Sequence, residues 1–374
     1  MRSLHNCIHA CICERIVKAM NAMTAPKLRW PARLARRTVS PALFDFWATR
    51  FNPLWTLEQP MAQLVSRLPA SRDAVTLVLR PNRHWRGMLP GQHVTLGVEI
   101  EGRRLHRSYS PTVLDDGNLA ITVKAIEGGV VSHHLAQFAP VGEAFWLDQA
   151  FGDMVLPANT DDLLLLAAGS GITPMRALIR ALAARGMPVN VDLMYWARRN
   201  DELCFVDELN ALAAAHPGLR VHYLLTRESA AAPRIDTAPL DAIASLATRR
   251  VLACGPGGFV QAARARLHGQ VARFDAEAFT VPVQLAGEEG HVEVKLARSG
   301  RTLQLKRGQS LLAGLEAQGV KPASGCRMGI CNTCACGRQS GTTRHVLTGD
   351  LSSEPSSQVR LCISAPSTDL ILDL

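Results

Sequence analysis

Between positions 62 and 156, apolar and polar residues alternate in short runs broken by turn residues. Val75-Thr76-Leu77-Val78-Leu79, His93-Val94-Thr95-Leu96 and Leu119-Ala120-Ile121-Thr122-Val123 are examples. A period of two sends successive side chains to opposite faces, and such runs with Gly and Pro between them predict a small antiparallel β-barrel. The pattern changes over 160–270. Residues 162–168 read as a buried strand, apolar from 163 on, 173–184 have helical spacing, 189–195 read as a strand and 206–215 as a helix. Strands follow at 221–225 and, as the last of this region, at 250–253. Strands alternating with helices predict a parallel sheet with crossover helices. From 280 the alternation returns (292–296, 302–305), followed by a helix at 310–318 and a loop rich in Gly and Cys. The expected domains are an N-terminal extension over 1–60 and then 61–157, 158–275 and 280–374, a multidomain chain of α+β and α/β parts without internal repeats.

Composition narrows the class. A chain of 374 residues with 47% hydrophobic and 20% charged positions is long enough for two or three cored domains and is not a disordered one. The longest apolar runs, such as 163–168, are too short to span a bilayer. The net charge of +9 is uneven: residues 1–60 carry nine Lys/Arg against three Asp/Glu, and 280–374 carry ten against eight. The basic excess is thus N-terminal and does not describe a nucleic-acid-binding surface. Cys, His and charge interrupt any apolar core in residues 1–25, which argues against a signal peptide. Cys7, Cys11 and Cys13 have no matching ligands after them, and Met20 and Met23 are alternative starts. Lys27, Arg29, Arg33, Arg36 and Arg37 precede an aromatic stretch with Phe44, Phe46, Trp47, Phe51 and Trp55. Such a segment suits a membrane interface. It equally suits an arm packed on the next domain, because Pro41, Pro53 and Pro60 break any long helix.

The chemistry is concentrated near the C-terminus. Cys326, Cys331 and Cys334, with Cys362 distant, have the C-x4-C-x2-C…C spacing of a plant-type [2Fe–2S] site. Thiolates suit iron, and Ser324, Gly325 and Gly329 stand where the loop must turn tightly. A zinc site would show two CxxC knuckles or nearby His, and only one CxxC is present. Cys336 is a spare sulfur, although the spacing favours Cys334. The remaining cysteines show no paired framework, which points to a reducing cytoplasm.

Two further motifs lie upstream. Arg107-Ser108-Tyr109-Ser110 follows a barrel strand, and Gly128-Gly129-Val130-Val131-Ser132 comes about twenty residues later. A forked arginine suits a phosphate, and a Gly pair at a helix start exposes N–H groups to one. Gly169-Ser170-Gly171-Ile172-Thr173-Pro174 runs from a strand into a helix, where glycines allow close approach of a pyrophosphate. Cys254-Gly255-Pro256 closes the strand at 250–253.

With these residues the chain resembles the plant-type ferredoxin–NADP reductase superfamily, over about 62–270, with a ferredoxin-like module appended. The resemblance implies an antiparallel flavin-binding β-barrel, a parallel-sheet nicotinamide-binding domain and a β-grasp ferredoxin-like domain. It assigns Arg107, Tyr109 and Ser110 to the flavin, and Gly128 to Ser132 to its phosphates. It makes 151–156 the strand that closes the barrel, and gives the Gly169–Pro174 loop and Cys254, Gly255 and Pro256 to the nicotinamide. Ser110 would lie beside flavin N5 to align hydride transfer, with Cys254 and Thr173 positioning the nicotinamide. FAD is the family's commoner flavin, and relatives of the phthalate dioxygenase reductase type with this domain order use FMN. Thr226-Arg227-Glu228 resembles the Ser-Arg-Glu that holds the 2′-phosphate in NADP-specific members, and Arg198 and Arg234 are nearby. NADPH is therefore expected, with Glu228 leaving NADH open. A nicotinamide gives two electrons as hydride and a [2Fe–2S] centre takes one at a time, so the order runs from nicotinamide through flavin to cluster.

Relatives with this order serve Rieske ring-hydroxylating oxygenases, di-iron hydroxylases, hybrid-cluster proteins and membrane fatty-acyl desaturases. The basic-aromatic arm and Phe51-Asn52-Pro53-Leu54-Trp55, which looks like the lead-in of desaturase-associated reductases, point to the last. The expected location is cytoplasmic, peripheral to the inner face of the cell membrane. The alternatives are an NADH/FMN reductase of a soluble Rieske or di-iron oxygenase and, from another class, a cluster-based redox sensor without turnover.

Overall fold

The structure, a computed structural model, describes residues 40–156, 161–228, 233–280, 285 and 288–374. Cys7, Cys11, Cys13, Met20, Met23 and the basic run from Lys27 to Arg37 lie outside them. The chain divides into two units, 1–59 and 60–374. The described part of the first is a helix, Pro41–Phe51, with a turn after it. Pro41 occupies the first helical turn, where its missing N–H costs nothing, and the helix stops before Pro53.

The second unit begins with seven strands: β1 (Met61–Ser71), β2 (Ala74–Pro81), β3 (Val94–Ile100), β4 (Arg103–Tyr109), β5 (Thr112–Val113), β6 (Leu119–Lys124) and β7 (Ala144–Leu147). They pair antiparallel in the order β4-β3-β7-β1-β2-β6-β5 around a core that includes Leu64, Leu77, Leu96, Ile121 and Phe145. The alternation read from sequence is the inward face of this sheet. The strand joining β1 to β3 is β7, not 151–156. Phe151 contributes a single bridge to His93. Gly152 then takes a φ of +108°, which ends extended pairing.

The next domain is a five-stranded parallel sheet of β8 (Leu163–Ala168), β9 (Val191–Ala197), β10 (Leu219–Leu225), β11 (Arg250–Pro256) and β12 (Arg273–Thr280), in the order β10-β9-β8-β11-β12. The helices Ile172–Ala183 and Val206–Ala215 bury one face, and Gly257–Leu267 lies on the other. Burial on both faces is why β8 reads as an unbroken apolar run. The strand at 250–253 is not the last. β12 follows it at the sheet edge and runs past position 275, and its polar–apolar alternation hides it among parallel strands.

The C-terminal part holds β13 (His291–Leu296), β14 (Thr302–Lys306), β15 (Ala335–Ser340), β16 (Thr343–His345), β17 (Leu351–Ser352), β18 (Ser356–Arg360), β19 (Ser364–Pro366) and β20 (Leu370–Leu372). A mixed sheet, β14-β13-β20-β15-β18, grips the helix Leu311–Ala317 through Leu311, Leu312 and Leu315 in the manner of a β-grasp. Ser310 caps that helix by accepting from Ala313 N–H at 3.3 Å.

A charged pair is buried at the parallel sheet. Asp192 on β9 lies 2.9 Å from Arg249, itself 1% exposed, and takes two 2.7 Å hydrogen bonds from Arg220. Burial alone would raise its pKa. The hydrogen bond from Arg220 and the charges of Arg249 and Arg220 prevail and lower it. Asp192→Asn would leave Arg249 buried beside a neutral amide, and breaking a buried pair costs about 3–5 kcal/mol. The expected outcome is a lower melting temperature at neutral pH. Because the folded pKa is depressed, the wild type's advantage should be complete above the usual Asp range and fade as pH falls through the folded value. Melting curves of both proteins across acidic pH check this.

Candidate functional site

β4 carries the first motif to the barrel edge, and the short helix Val130–His133 packs beside it. Arg107 has no acidic partner among the described residues. Its guanidinium donates to the His106 carbonyl at 2.7 Å. Burial, then the nearby charge of Arg327, lowers its pKa, so the guanidinium is a cation in want of an anion. Tyr109 is pushed up by burial against the opposing pull of Arg107. Ser110 is 5% exposed and its buried hydroxyl has no hydrogen-bond partner. A buried unpaired hydroxyl costs free energy, and a ring nitrogen or carbonyl of a flavin would satisfy it. Gly128 has φ +72°, and at Gly129 an added Cβ would sit 2.5 Å from the Ser132 hydroxyl. That hydroxyl donates to Gly129 C=O at 3.1 Å and accepts from Ile126 N–H at 3.3 Å. Ser132 therefore shapes the turn, and the N–H groups of Val130 and Val131 at the helix start are the natural phosphate donors.

The second motif lies at the C-terminal end of β8. Gly169 (φ +56°), Ser170 and Gly171 form one tight turn into the helix Ile172–Ala183. Thr173 donates to Ser170 C=O at 3.0 Å and Pro174 follows in the first turn. A Cβ on Gly171 would collide with the carbonyl oxygen of Cys254, and one on Gly255 would meet Ala168 and Phe259. The loop after β8 and the end of β11 are thus in backbone contact. Cys254 is fully buried, and burial first, then Glu277, raises its pKa well above that of a free thiol. It is a neutral thiol, fit to pack against a ring and not to attack one.

Glu277 and His93 were not singled out from the sequence. Glu277 stands beside Cys254 in the β11–β12 register. Its carboxylate lies 2.7 Å from His93 Nε2 across the junction with the barrel, without the alignment of a hydrogen bond. Nothing local marks either residue, since their pairing depends on how β3 and β12 meet.

At the adenosine end, three expected residues separate in role. Arg198 is committed: Glu202, 5% exposed, accepts from it at 2.9 Å and also binds Lys124 at 3.1 Å. The Arg198–Glu202 hydrogen bond comes first in raising the arginine's pKa. Thr226 donates to Ala197 C=O at 3.3 Å. Arg227 is exposed and has no acidic partner among the described residues. Pro256 and Arg234 are likewise exposed.

The four cluster cysteines lie on one loop and the turn after β18. Their sulfurs form two pairs. Cys326 N–H donates to Cys331 Sγ at 3.2 Å, and the Cys334 and Cys362 sulfurs lie 3.2 Å apart. Two pairs suit two irons, one pair each. Among the described residues, no three Cys, His, Asp or Glu side chains gather as they would around a single ion. Backbone N–H groups of Met328, Ile330 and Cys331 point at Cys326 Sγ at 3.3–3.4 Å, and that of Gly329 at Cys362 Sγ at 3.1 Å. Within each pair the hydrogen bond between thiols draws one pKa down, at Cys331 and Cys334, and raises the other, at Cys326 and Cys362; a metal would need all four as thiolates. Gly325 and Gly329 have no room for a Cβ, the former because Cys331 Sγ would be 2.9 Å away. Arg327 and Asn332 take φ values of +59° and +57°, and Arg327 is held by a bidentate pair with Glu316 at 2.6 and 2.8 Å. Cys336 turns into the domain core, with its pKa raised by burial to about 11, and is not part of either pair.

All three motifs belong to one architecture. A cleft of about 530 Å³ is bounded by Phe151 and Gly152 of the barrel, Glu277 and Arg264 of the parallel-sheet domain, and Met328 and Ile330 of the cluster loop. Gln261 ties the helix Gly257–Leu267 to the β-grasp domain through Val346 C=O at 3.2 Å.

Comparison with known proteins agrees with this division. The profile of the oxidoreductase FAD-binding domain matches residues 61–154, that of the oxidoreductase NAD-binding domain 165–265, and that of the 2Fe-2S iron-sulfur cluster binding domain 294–367. An NADPH oxidoreductase of Mycobacterium tuberculosis (strain ATCC 25618 / H37Rv) is 33% identical over 352 residues, covering 91% of each chain. The ferredoxin reductase component of 3-ketosteroid-9-alpha-monooxygenase from M. tuberculosis (strain CDC 1551 / Oshkosh) is 31% identical over 84% of this chain and 94% of its own. Among solved structures, phthalate dioxygenase reductase shares the fold, with a TM-score of 0.58 at 24% identity over 84% of this chain and 97% of that one. The chain belongs to the plant-type ferredoxin–NADP reductase superfamily, in the branch with a C-terminal plant-type [2Fe–2S] ferredoxin domain. It is an NAD(P)H-dependent oxidoreductase that uses FAD, a nicotinamide and a [2Fe–2S] cluster.

Two outcomes follow from the geometry. Cys331→Ser should abolish the cluster's visible absorbance and bound iron while leaving FAD content and its bleaching by NADPH intact, because the flavin and nicotinamide motifs lie on other domains. Gly171→Ala should spare FAD and iron content but slow flavin bleaching, because the new methyl pushes the nicotinamide loop off Cys254. Absorbance spectra and stopped-flow reduction of the two variants check both.

Proposed function

We propose that the chain is the reductase component of an oxygenase system, taking hydride from NADPH and passing electrons one at a time to the oxygenase's metal centre. The M. tuberculosis ketosteroid monooxygenase component, similar over 84% of this chain, supports an oxygenase as acceptor. In this reading Arg107 and the Val130 and Val131 N–H groups bind flavin phosphate, and Ser110 hydrogen-bonds the ring. Thr173 and Cys254 seat the nicotinamide, and the paired sulfurs of Cys326 with Cys331 and Cys334 with Cys362 hold the cluster.

The preference for NADPH rests on one observation. Glu228, the residue that left the choice open, accepts a hydrogen bond from Asn200 N–H at 2.7 Å. Its carboxylate is occupied there, and Arg227 beside it has no acidic partner among the described residues. An unpaired exposed guanidinium at the end of β10 suits a 2′-phosphate, whereas an NAD site places an acid at the ribose. The similarity to an NADPH oxidoreductase agrees.

A membrane fatty-acyl desaturase is the second reading of the acceptor, favoured by the outward-facing aromatic side chains of the helix Pro41–Phe51. It would place the protein in the cytoplasm, peripheral to the inner face of the cell membrane.

Arg227→Ala should raise KM for NADPH by roughly ten- to a hundredfold, since a hydrogen bond to a charged group is worth about 1.5–3 kcal/mol. KM for NADH should be unchanged. Steady-state reduction of ferricyanide with each nucleotide checks this. A wild type that prefers NADH would overturn the NADPH reading.

A further inference from the structure

The helix Pro41–Phe51 carries an apolar stripe that is exposed. Leu43, Phe46, Trp47 and Phe51 recur at i, i+3, i+4 and i+8 and share one face. An amphipathic helix ordinarily buries such a stripe. Here the four side chains are 55, 53, 56 and 83% exposed. Arg50 stands among them, its guanidinium 4.6 Å from the centre of the Phe46 ring and 5.6 Å from that of Trp47. On the opposite side Phe44, Asp45, Ala48 and Thr49 are half-buried, and the two polar residues are locally satisfied. Asp45 accepts from Leu57 N–H at 2.6 Å, and Thr49 donates to Asp45 C=O at 2.6 Å. Beyond the helix, Asn52 accepts from Leu54 N–H at 2.9 Å, and Trp55 is again exposed. A contiguous exposed patch of large apolar groups marks a binding surface.

We propose that this face seats the protein on an anionic lipid surface, lying in the plane of the headgroup–acyl boundary. A helix of 11 residues is about 16 Å long and cannot cross a bilayer. Trp and Phe favour the membrane interface, and an arginine lying along their rings can bury its stem while its charge stays among headgroups. Residues 1–60 carry nine Lys/Arg against three Asp/Glu. Such an excess suits a surface with many diffuse anions better than an apolar protein groove, which would need matched acids. It also opposes pairing with a second copy, where Arg50 would approach Arg50 and each segment's net charge would repel the other. The anchoring goes beyond the reductase reading and holds whichever acceptor the cluster serves.

The test uses full-length holoprotein and sedimentation with phosphatidylcholine vesicles, with and without phosphatidylglycerol. The wild type should co-sediment with the anionic vesicles and only weakly with the neutral ones. Salt should release part of the bound protein, since the attraction of basic residues is screened while apolar burial is not. The double variant Trp47→Ser/Phe51→Ser should bind at least about tenfold more weakly, because two large side chains no longer enter the interface. Arg50→Glu should bind more weakly only at low salt. In both variants NADPH–ferricyanide turnover, FAD content and melting temperature should be unchanged. Failure of the wild type to sediment with anionic vesicles overturns the proposal. So does a double variant that melts early and loses FAD while binding vesicles normally, which would mean an arm packed on its own protein. A wild-type dimer that the double variant dissolves would assign the face to a second copy instead.

Discussion

The backbone contact between Gly171 and the carbonyl of Cys254 is the point from which the rest of the catalytic region is placed. It fixes the loop after β8 over the end of β11, so the start of the helix Ile172–Ala183 lies against the backbone of Cys254. β11 in turn pairs with β12, which puts Glu277 beside Cys254, and Glu277 meets His93 of the barrel at 2.7 Å. One side chain at position 171 would therefore push the loop after β8 away from the end of β11. A glycine is required here by lack of space, not by its backbone angle.

Charge is distributed in a way that separates structural from binding arginines. Arg249 and Arg198 are held by buried carboxylates, Asp192 and Glu202. Burying those carboxylates is favourable only because several cations and N–H donors converge on each. Arg107 and Arg227 lack such partners among the described residues and stand at the two places where phosphates are expected. An unpaired guanidinium in a partly buried position has its charge satisfied only when an anion arrives, which is how a rigid site gains affinity without closing.

The cluster loop is organised by the same need. Five amide N–H groups aimed at the sulfurs of Cys326, Cys331 and Cys362 favour their charged form, while the partner thiol and burial keep the pKa values of Cys326 and Cys362 above that of a free thiol. The cost is borne by the backbone, with Arg327 and Asn332 in left-handed conformations. The bidentate contact from Arg327 to Glu316 on the helix Leu311–Ala317 helps hold the first of these. The β-grasp core thus supports the loop directly, and the loop's other side, at Met328 and Ile330, bounds the cleft shared with the barrel and the parallel-sheet domain.

What the sequence by itself determined were features encoded over a few residues. The period-two runs marked the barrel strands, the apolar run of β8 marked a doubly covered sheet, and the cysteine spacing marked the cluster. RxYS, GGxxS, GxGxxP and CGP carried the resemblance to a flavin- and nicotinamide-dependent reductase. Each works because a tight turn or a ligand set is a local requirement. The tertiary structure decided everything that depends on two distant segments meeting. It made β7 and not 151–156 the strand between β1 and β3, and added β12 as the edge strand after β11. It turned Cys336 into the core, tied Arg198 to Glu202 and Glu228 to Asn200, and left Arg227 without an acidic partner among the described residues. It brought His93 to Glu277 and left the aromatic stripe of the helix Pro41–Phe51 exposed. A residue's spacing states which face it shares, but whether that face is covered, paired or left open is set by neighbours far along the chain.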